Sequence, residues 1–197
     1  MNKDNILGWV MIIFILIISY KIFKDSDYLQ LKCIVSTVDG DKYCVRERKN
    51  IKEASDLLAK TTVKMKKLVE YVDEKYPDKP NIRRLVKKFN PKKIVETLPT
   101  SEYTAYSENK GEKIAFCLNK KKENNNNLID ENTLMFVAIH EMSHIATESI
   151  GHNKEFWDNF KFLLKEAKEA GLYNVVDYSI NNEEYCGMTI NDNPYFH

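Results

Sequence analysis

His140-Glu141-Met142-Ser143-His144, continuing through Ile145-Ala146-Thr147-Glu148-Ser149-Ile150-Gly151-His152-Asn153-Lys154-Glu155-Phe156-Trp157, carries the strongest pattern in the chain. Three of the four histidines lie within thirteen residues of it. On a helix, residues four apart share a face, with Cβ atoms about 5–6 Å apart. Two imidazoles so spaced can converge on one Zn²⁺, at Zn–N distances of about 2.0–2.1 Å. Glu141 falls about 100° round from His140, beside the metal rather than on it. A carboxylate there can take a proton from water that the metal has acidified from 15.7 toward about 7. The expected chemistry is hydrolysis of a peptide bond. A chain of this composition yields roughly 0.007 such H-E-x-x-H runs by chance, a small but not negligible number; the alternative is that His140 and His144 are ordinary surface or core histidines.

His152 is the expected third ligand. It follows Gly151, which lets the chain turn sharply after the helix and bring an imidazole back. Glu148 is the rival, on the same helical face but pointing past the metal on a straight rod. Glu155, Glu183 and Glu184 are weaker rivals. A catalytic site also keeps one metal position open to water.

The histidine helix is expected over 131–149, with Asp130 as its N-cap. Leu134 to Ile139 is apolar all round, so the helix approaches His140 buried. A further helix at 154–170 places Phe156, Trp157, Phe160, Leu163, Leu164 and Ala167 on one face and stops at Gly171. Upstream, 51–75 is the clearest amphipathic helix, and a shorter one near 81–89 turns Ile82, Leu85, Val86 and Phe89 inward. Two stretches alternate instead: 29–46 around Asp39-Gly40, and 101–118 around Asn109-Lys110-Gly111. Both read as β-hairpins. The Ile114–Leu118 strand is expected to form the edge of a substrate cleft. Residues 119–127 are a polar loop expected to be mobile, and 172–197 an irregular tail.

The chain has 197 residues, 43% hydrophobic and 30% charged, which excludes collagen-like, disulfide-knot and wholly disordered classes. Residues 1–125 hold 26 Lys/Arg against 17 Asp/Glu, and residues 126–197 hold 4 against 12. Arg83-Arg84, Lys87-Lys88 and Lys92-Lys93 could meet nucleic acid or anionic lipid. Charge runs on short helices are more often solvated faces, so nucleic acid is not the favoured partner. Residues 6–23 are apolar apart from Lys21, with Trp9 and Tyr20 where interfacial aromatics sit. They are expected to be a single-pass membrane anchor, with an orientation that the flanking charges leave open. Ser19-Tyr20-Lys21 offers no signal-peptidase site. Cys33 and Cys44 flank the Asp39-Gly40 turn and could bridge that hairpin, leaving Cys117 with Cys186; four reduced thiols are the alternative. No Gly-rich phosphate loop is present, and Ser143 lacks a nucleophile-elbow context.

The run from His140 to Trp157 resembles the active-site segment of WLM and SprT-like zinc metallopeptidases, in which an HExxH helix, a third histidine and an aromatic-rich helix follow one another. Gly151-His152 with Phe156-Trp157 carries most of the likeness. The gap from His144 to His152 is two residues longer than in the usual WLM pattern. More widely, the chain is similar to small membrane-anchored metallopeptidase-like proteins of large nucleocytoplasmic DNA viruses. The anchor, Asp39-Gly40-Asp41-Lys42-Tyr43-Cys44-Val45-Arg46, Tyr103-Thr104-Ala105-Tyr106-Ser107, Lys110 to Leu118, and Tyr185-Cys186-Gly187-Met188 carry that likeness. The resemblance implies a zincin-like fold and a viral membrane setting.

The expectation is therefore an α+β chain: a tail (1–5), a transmembrane anchor (6–23) and a mainly helical zincin-like domain with small hairpins (29–197). Its cofactor would be Zn²⁺ on His140, His144 and His152, with Glu141 as general base. Tyr103, Tyr106 or Tyr185 would stabilise the oxyanion, and the substrate would be a protein or peptide. The rivals are a non-catalytic, zinc-stabilised assembly protein and a protease of DNA–protein crosslinks.

Overall fold

A computed structural model describes residues 3–24, 30–122 and 126–197, with side chains from 7 to 23 and throughout the other two stretches. The fold is α+β. Its helices are α1 (Lys3–Lys24), α2 (Ile51–Lys75), α3 (Pro80–Lys88), α4 (Glu131–Ala146) and α5 (Lys154–Glu169), the last four packed through apolar residues at helical spacing. Helix α2 buries Ala54, Leu58, Met65, Leu68 and Val72 and turns its lysines outward. Asp130 caps α4 by accepting from the Thr133 N–H at 2.9 Å, and Asn153 caps α5 by accepting from the Phe156 N–H at 3.1 Å. Helix α4 is enclosed by α2, α3, α5 and strand β4 (Ala105–Glu108).

Three helical details differ from expectation. Helix α4 ends at Ala146, three residues early, because Thr147 turns extended and bonds its hydroxyl back to the Ser143 carbonyl. Val86 and Trp157 lie partly in solvent, each at the margin of its helix's apolar face. Helix α1 does form over the apolar run. Among the described residues, however, no helix is long and apolar enough to cross a membrane. Lys21 places a charge inside the apolar run of α1. This overturns the expected single transmembrane helix at 6–23. The described side chains of α1 are exposed.

Strands β1 (Leu31–Val35) and β2 (Lys42–Arg46) form the first hairpin, with Cys33 opposite Cys44 and bonded to it. The second sheet is mixed. Strand β3 (Ile94–Glu96) runs parallel to β5 (Lys113–Phe116), and β4 pairs with β5 antiparallel, in the order β3-β5-β4. The strand expected at the cleft edge is thus central. Its unbroken apolar run, Ile114 to Leu118, is what a strand covered on both sides requires. Strand β4 is an edge strand, with no further strand paired to it among the described residues. The β4–β5 turn passes through Asn109, Lys110 and Gly111, all at positive φ, and a Cβ on Gly111 would lie 2.7 Å from the Lys88 carbonyl.

The tail is not wholly irregular. Strands β6 (Glu183–Tyr185) and β7 (Met188–Ile190) are joined by Cys186-Gly187, both at positive φ as a tight two-residue turn demands. Cys186 is bonded to Cys117, and its N–H donates to the Asn119 carbonyl at 2.9 Å. Of the polar loop, Asn119 is buried, and 123–125, where mobility was expected, lie outside the described residues.

A buried ionic cluster fastens the first hairpin to the mixed sheet. Glu96 accepts from the Arg46 backbone N–H at 2.6 Å and pairs with the Arg48 guanidinium. Arg46 donates to the Thr97 carbonyl at 2.8 Å, the Thr97 hydroxyl at 3.0 Å and the Leu98 carbonyl at 3.0 Å. Removing one member strands the others' charge away from water. Glu96→Ala is therefore expected to lower unfolding free energy by about 3–5 kcal/mol in urea titration. Replacing Cys117 and Cys186 together by serine opens a link across 69 residues and is expected to cost about 2–5 kcal/mol in the same measurement.

Candidate metal centre and cleft

His140 and His144 stand four apart on the last turns of α4, and their Nε2 atoms lie 3.2 Å apart. The loop after the helix returns His152 so that its Nε2 lies 3.1 Å from that of His140. Ligand atoms of all three lie within 4.8 Å of one another. Two ligands of a tetrahedral ion with bonds of 2.0–2.1 Å stand about 3.4 Å apart, so the rings fit one small cation. Phe156, at the start of α5, supports all three, with centroid distances of 4.9, 4.3 and 4.6 Å to His140, His144 and His152. Burial, with repulsion from the neighbouring imidazoles, holds His140 down at about 3; burial, His152 and Lys110 hold His144 at about 4. At neutral pH both rings are uncharged, as metal ligation requires.

The rival glutamates are occupied elsewhere. Glu148 faces solvent near Arg84, at 3.7 Å. Glu155 accepts from the backbone N–H groups of Glu148 and Ser149 at 2.9 and 3.2 Å; these bonds and the Ser149 hydroxyl hold its carboxyl at about 2. Glu183 pairs with Lys120 at 3.2 Å, and Glu184 is exposed. Among the described residues, none of them joins the three histidines.

Two cavities, of about 370 and 310 Å³, flank the cluster and share Ala105, His140, Glu141 and His152. Tyr103, Tyr106, Ser107, Lys110 and Ile150 line the first. Phe136, Val137, Met188 and Ile190 make the second largely apolar. Glu141 opens on both, is 4% exposed, and is pushed up to about 8 by burial alone. A carboxyl so placed lacks a counter-charge, which a cation on the three imidazoles would provide.

Of the three candidate tyrosines, Tyr185 is committed to structure. Its hydroxyl accepts from the Cys117 N–H and donates to the Thr104 carbonyl, both at 3.1 Å. Tyr103 and Tyr106 line the first cavity with ring centroids 6.0 Å apart. The four cysteines lie in the two disulfides, and Cys117–Cys186 ties β5 to the hairpin that bears Met188 and Ile190. Part of the basic cluster is used internally. Arg83 pairs with Asp78, Lys93 with Glu112, and Arg84 donates to the Ala146 carbonyl. Sequence reading did not find Ser107, Met188 or Ile190 at the cleft. The alternation at 103–107 indicated a strand, but only the strand order reveals its place at the edge.

The chain is 28% identical over 195 residues to an uncharacterized protein of Acanthamoeba polyphaga mimivirus, covering 97% of this chain and 94% of that one. An uncharacterized protein of Invertebrate iridescent virus 6 is 37% identical over 73 residues, 37% of this chain and 40% of its own length. One of Invertebrate iridescent virus 3 is 37% identical over 59 residues, 30% of this chain and 36% of its own. No protein-family model and no solved structure matches the chain.

Burial of Glu141 gives the metal-free protein a distinctive pH response. Folding holds a proton that the unfolded carboxyl releases near 4.5, so the stability it lends is complete below 4.5 and lost as pH rises through about 8. His140 and His144, held down, act oppositely, but their contribution is already complete above about 6.5. Between about pH 6.5 and 8 the metal-free protein is therefore expected to lose of order 1–2 kcal/mol of unfolding free energy, and Glu141→Gln to flatten that slope. Urea unfolding in chelator across this range measures both.

Proposed function

We propose that the protein is a zinc-dependent peptide hydrolase. The observation that carries this reading is the convergence of three imidazoles beside a buried carboxyl, at the floor of a two-sided cleft. His140, His144 and His152 hold the ion, and imidazole ligands suit zinc. When bound, zinc supplies Lewis-acid polarisation of a carbonyl and acidification of water. Glu141 accepts the proton of the attacking water and passes it to the leaving amine. As an edge strand, β4 could add an extended substrate to the sheet, so that the peptide would lie along Ala105 to Ser107 and across the histidines. Tyr103 or Tyr106 donates to the carbonyl oxygen as charge gathers there.

Two features favour hydrolysis over a zinc-stabilised assembly role. A structural zinc site closes with four protein ligands, whereas three side chains form this group among the described residues. A structural site also has no use for the Glu141 carboxyl.

Wild-type protein is expected to bind about one zinc per chain. Glu141→Gln is expected to keep the metal while peptide hydrolysis falls about 10²- to 10⁴-fold. Metal analysis and a peptide-library cleavage assay on both proteins test this. A folded wild type without zinc, or full cleavage by Glu141→Gln, overturns the reading.

A further inference from the structure

The third ligand stands at the end of a segment that cannot hold itself in place. Helix α4 ends at Ala146, and a helix end leaves its last carbonyls without intrahelical partners. Beyond it, Ile150 is 92% exposed, and nothing lies within 4 Å of where a Gly151 Cβ would be. Yet His152 must be placed to a fraction of an ångström.

Side chains from other elements supply the missing partners. The Lys110 ammonium donates to the carbonyls of Thr147 at 2.7 Å, Glu148 at 3.3 Å and Ser149 at 2.6 Å. Three donors thus meet three acceptors. On the other side, the Glu155 carboxylate takes the N–H groups of Glu148 and Ser149 and, at 2.6 Å, the Ser149 hydroxyl. Arg84 takes the Ala146 carbonyl at 3.0 Å. Lys110 sits in the β4–β5 turn at φ 58°, a conformation unfavourable for lysine, next to the Gly111 that fits against Lys88. The anchor is therefore itself fixed.

We infer that Lys110 is a positioning residue that sets the place of His152 by gripping the carbonyls of residues 147–149. The inference rests on the metal site proposed above and assigns a task to a side chain outside its ligand set. It accounts for the long gap between His144 and His152: the extra chain is braced from outside. His140 and His144 ride on the helix itself, so among the three ligands it is the place of His152 that depends on Lys110.

The test is zinc affinity of the full chain by chelator competition, with the visible spectrum of bound Co²⁺ as a second readout. Four proteins are compared with wild type: Lys110→Met, Lys110→Arg, His152→Ala, and the Lys110→Met/His152→Ala double variant. Lys110→Met is expected to weaken zinc binding about 10- to 100-fold and to alter the Co²⁺ spectrum, as loss of an orienting group does. Lys110→Arg, which keeps charge and donors, is expected to recover most of the affinity. Added to His152→Ala, Lys110→Met is expected to cost less than about 2-fold, because the ligand it positions is gone. Should Lys110→Met fail to fold, Glu155→Gln loosens the same segment from its amide side and carries the same expectation. Wild-type zinc affinity in Lys110→Met with only a lowered melting temperature overturns the inference, as does a full further loss in the double variant. If wild type itself binds no zinc, the metal site falls and the inference with it; wild-type binding with an unaffected Lys110→Met removes this inference alone.

Discussion

Helix α4 is apolar on nearly every side from Leu134 to Ile139, and beyond that stretch its last turns carry groups that need water or a partner. That contrast organises the molecule. The apolar length fixes the axis of the helix among α2, α3, α5 and β4, and the polar end must then emerge where those neighbours leave a cleft. His140 and His144 reach their places through helical spacing alone. Glu141 is carried to the buried side of the same turn, where water is scarce and its carboxyl holds its proton tightly. Each later element covers a flank of α4 or completes the cleft at its end. Phe156 does both, closing the core and backing the three imidazoles.

The cleft draws its walls from distant parts of the chain. One wall is the edge strand β4, the other the β6–β7 hairpin, far later in the chain. Two devices hold these walls to one frame. The Glu96 cluster joins the first hairpin to the mixed sheet through charges out of contact with water, so it tolerates little change in geometry. The Cys117–Cys186 bond joins the central strand to the last hairpin, and Tyr185 bridges the Cys117 N–H to the Thr104 carbonyl beside it. The site is thus assembled at a junction of long-range contacts, although its chemistry is concentrated in thirteen residues.

What the sequence made legible follows that division. Helical stripes, the caps at Asp130 and the stop at Gly171, the two hairpin turns and the histidine cluster are local patterns, and each is visible where its residues stand. The Cys33–Cys44 pairing was likewise suggested by a local turn. Strand β3 was not legible, because three residues give no period and its partner lies twenty residues on. The reversal of centre and edge in the mixed sheet follows from that omission. The tail hairpin was hidden because Tyr185-Cys186-Gly187-Met188 shows its turn only through positive φ values. The apolar N-terminal run signalled a helix, which forms, and a membrane span, which no described helix is long and apolar enough to make.

Trp157 was expected on the apolar face of its helix, and its position at the margin of that face gives the chain a property of another kind. Its indole N–H donates to the His152 carbonyl at 3.0 Å, its ring centroid lies 5.9 Å from that imidazole, and 43% of it faces solvent. The other tryptophan, Trp9, lies far off in sequence on α1. An indole bonded to the backbone of a metal-ligand candidate shares that residue's position, so a change in the order of the His152 loop alters the polarity around the ring. The native protein thus carries a fluorophore at the least self-supporting point of its cleft. Its emission would follow the ordering of that loop in real time, without a label or a substrate.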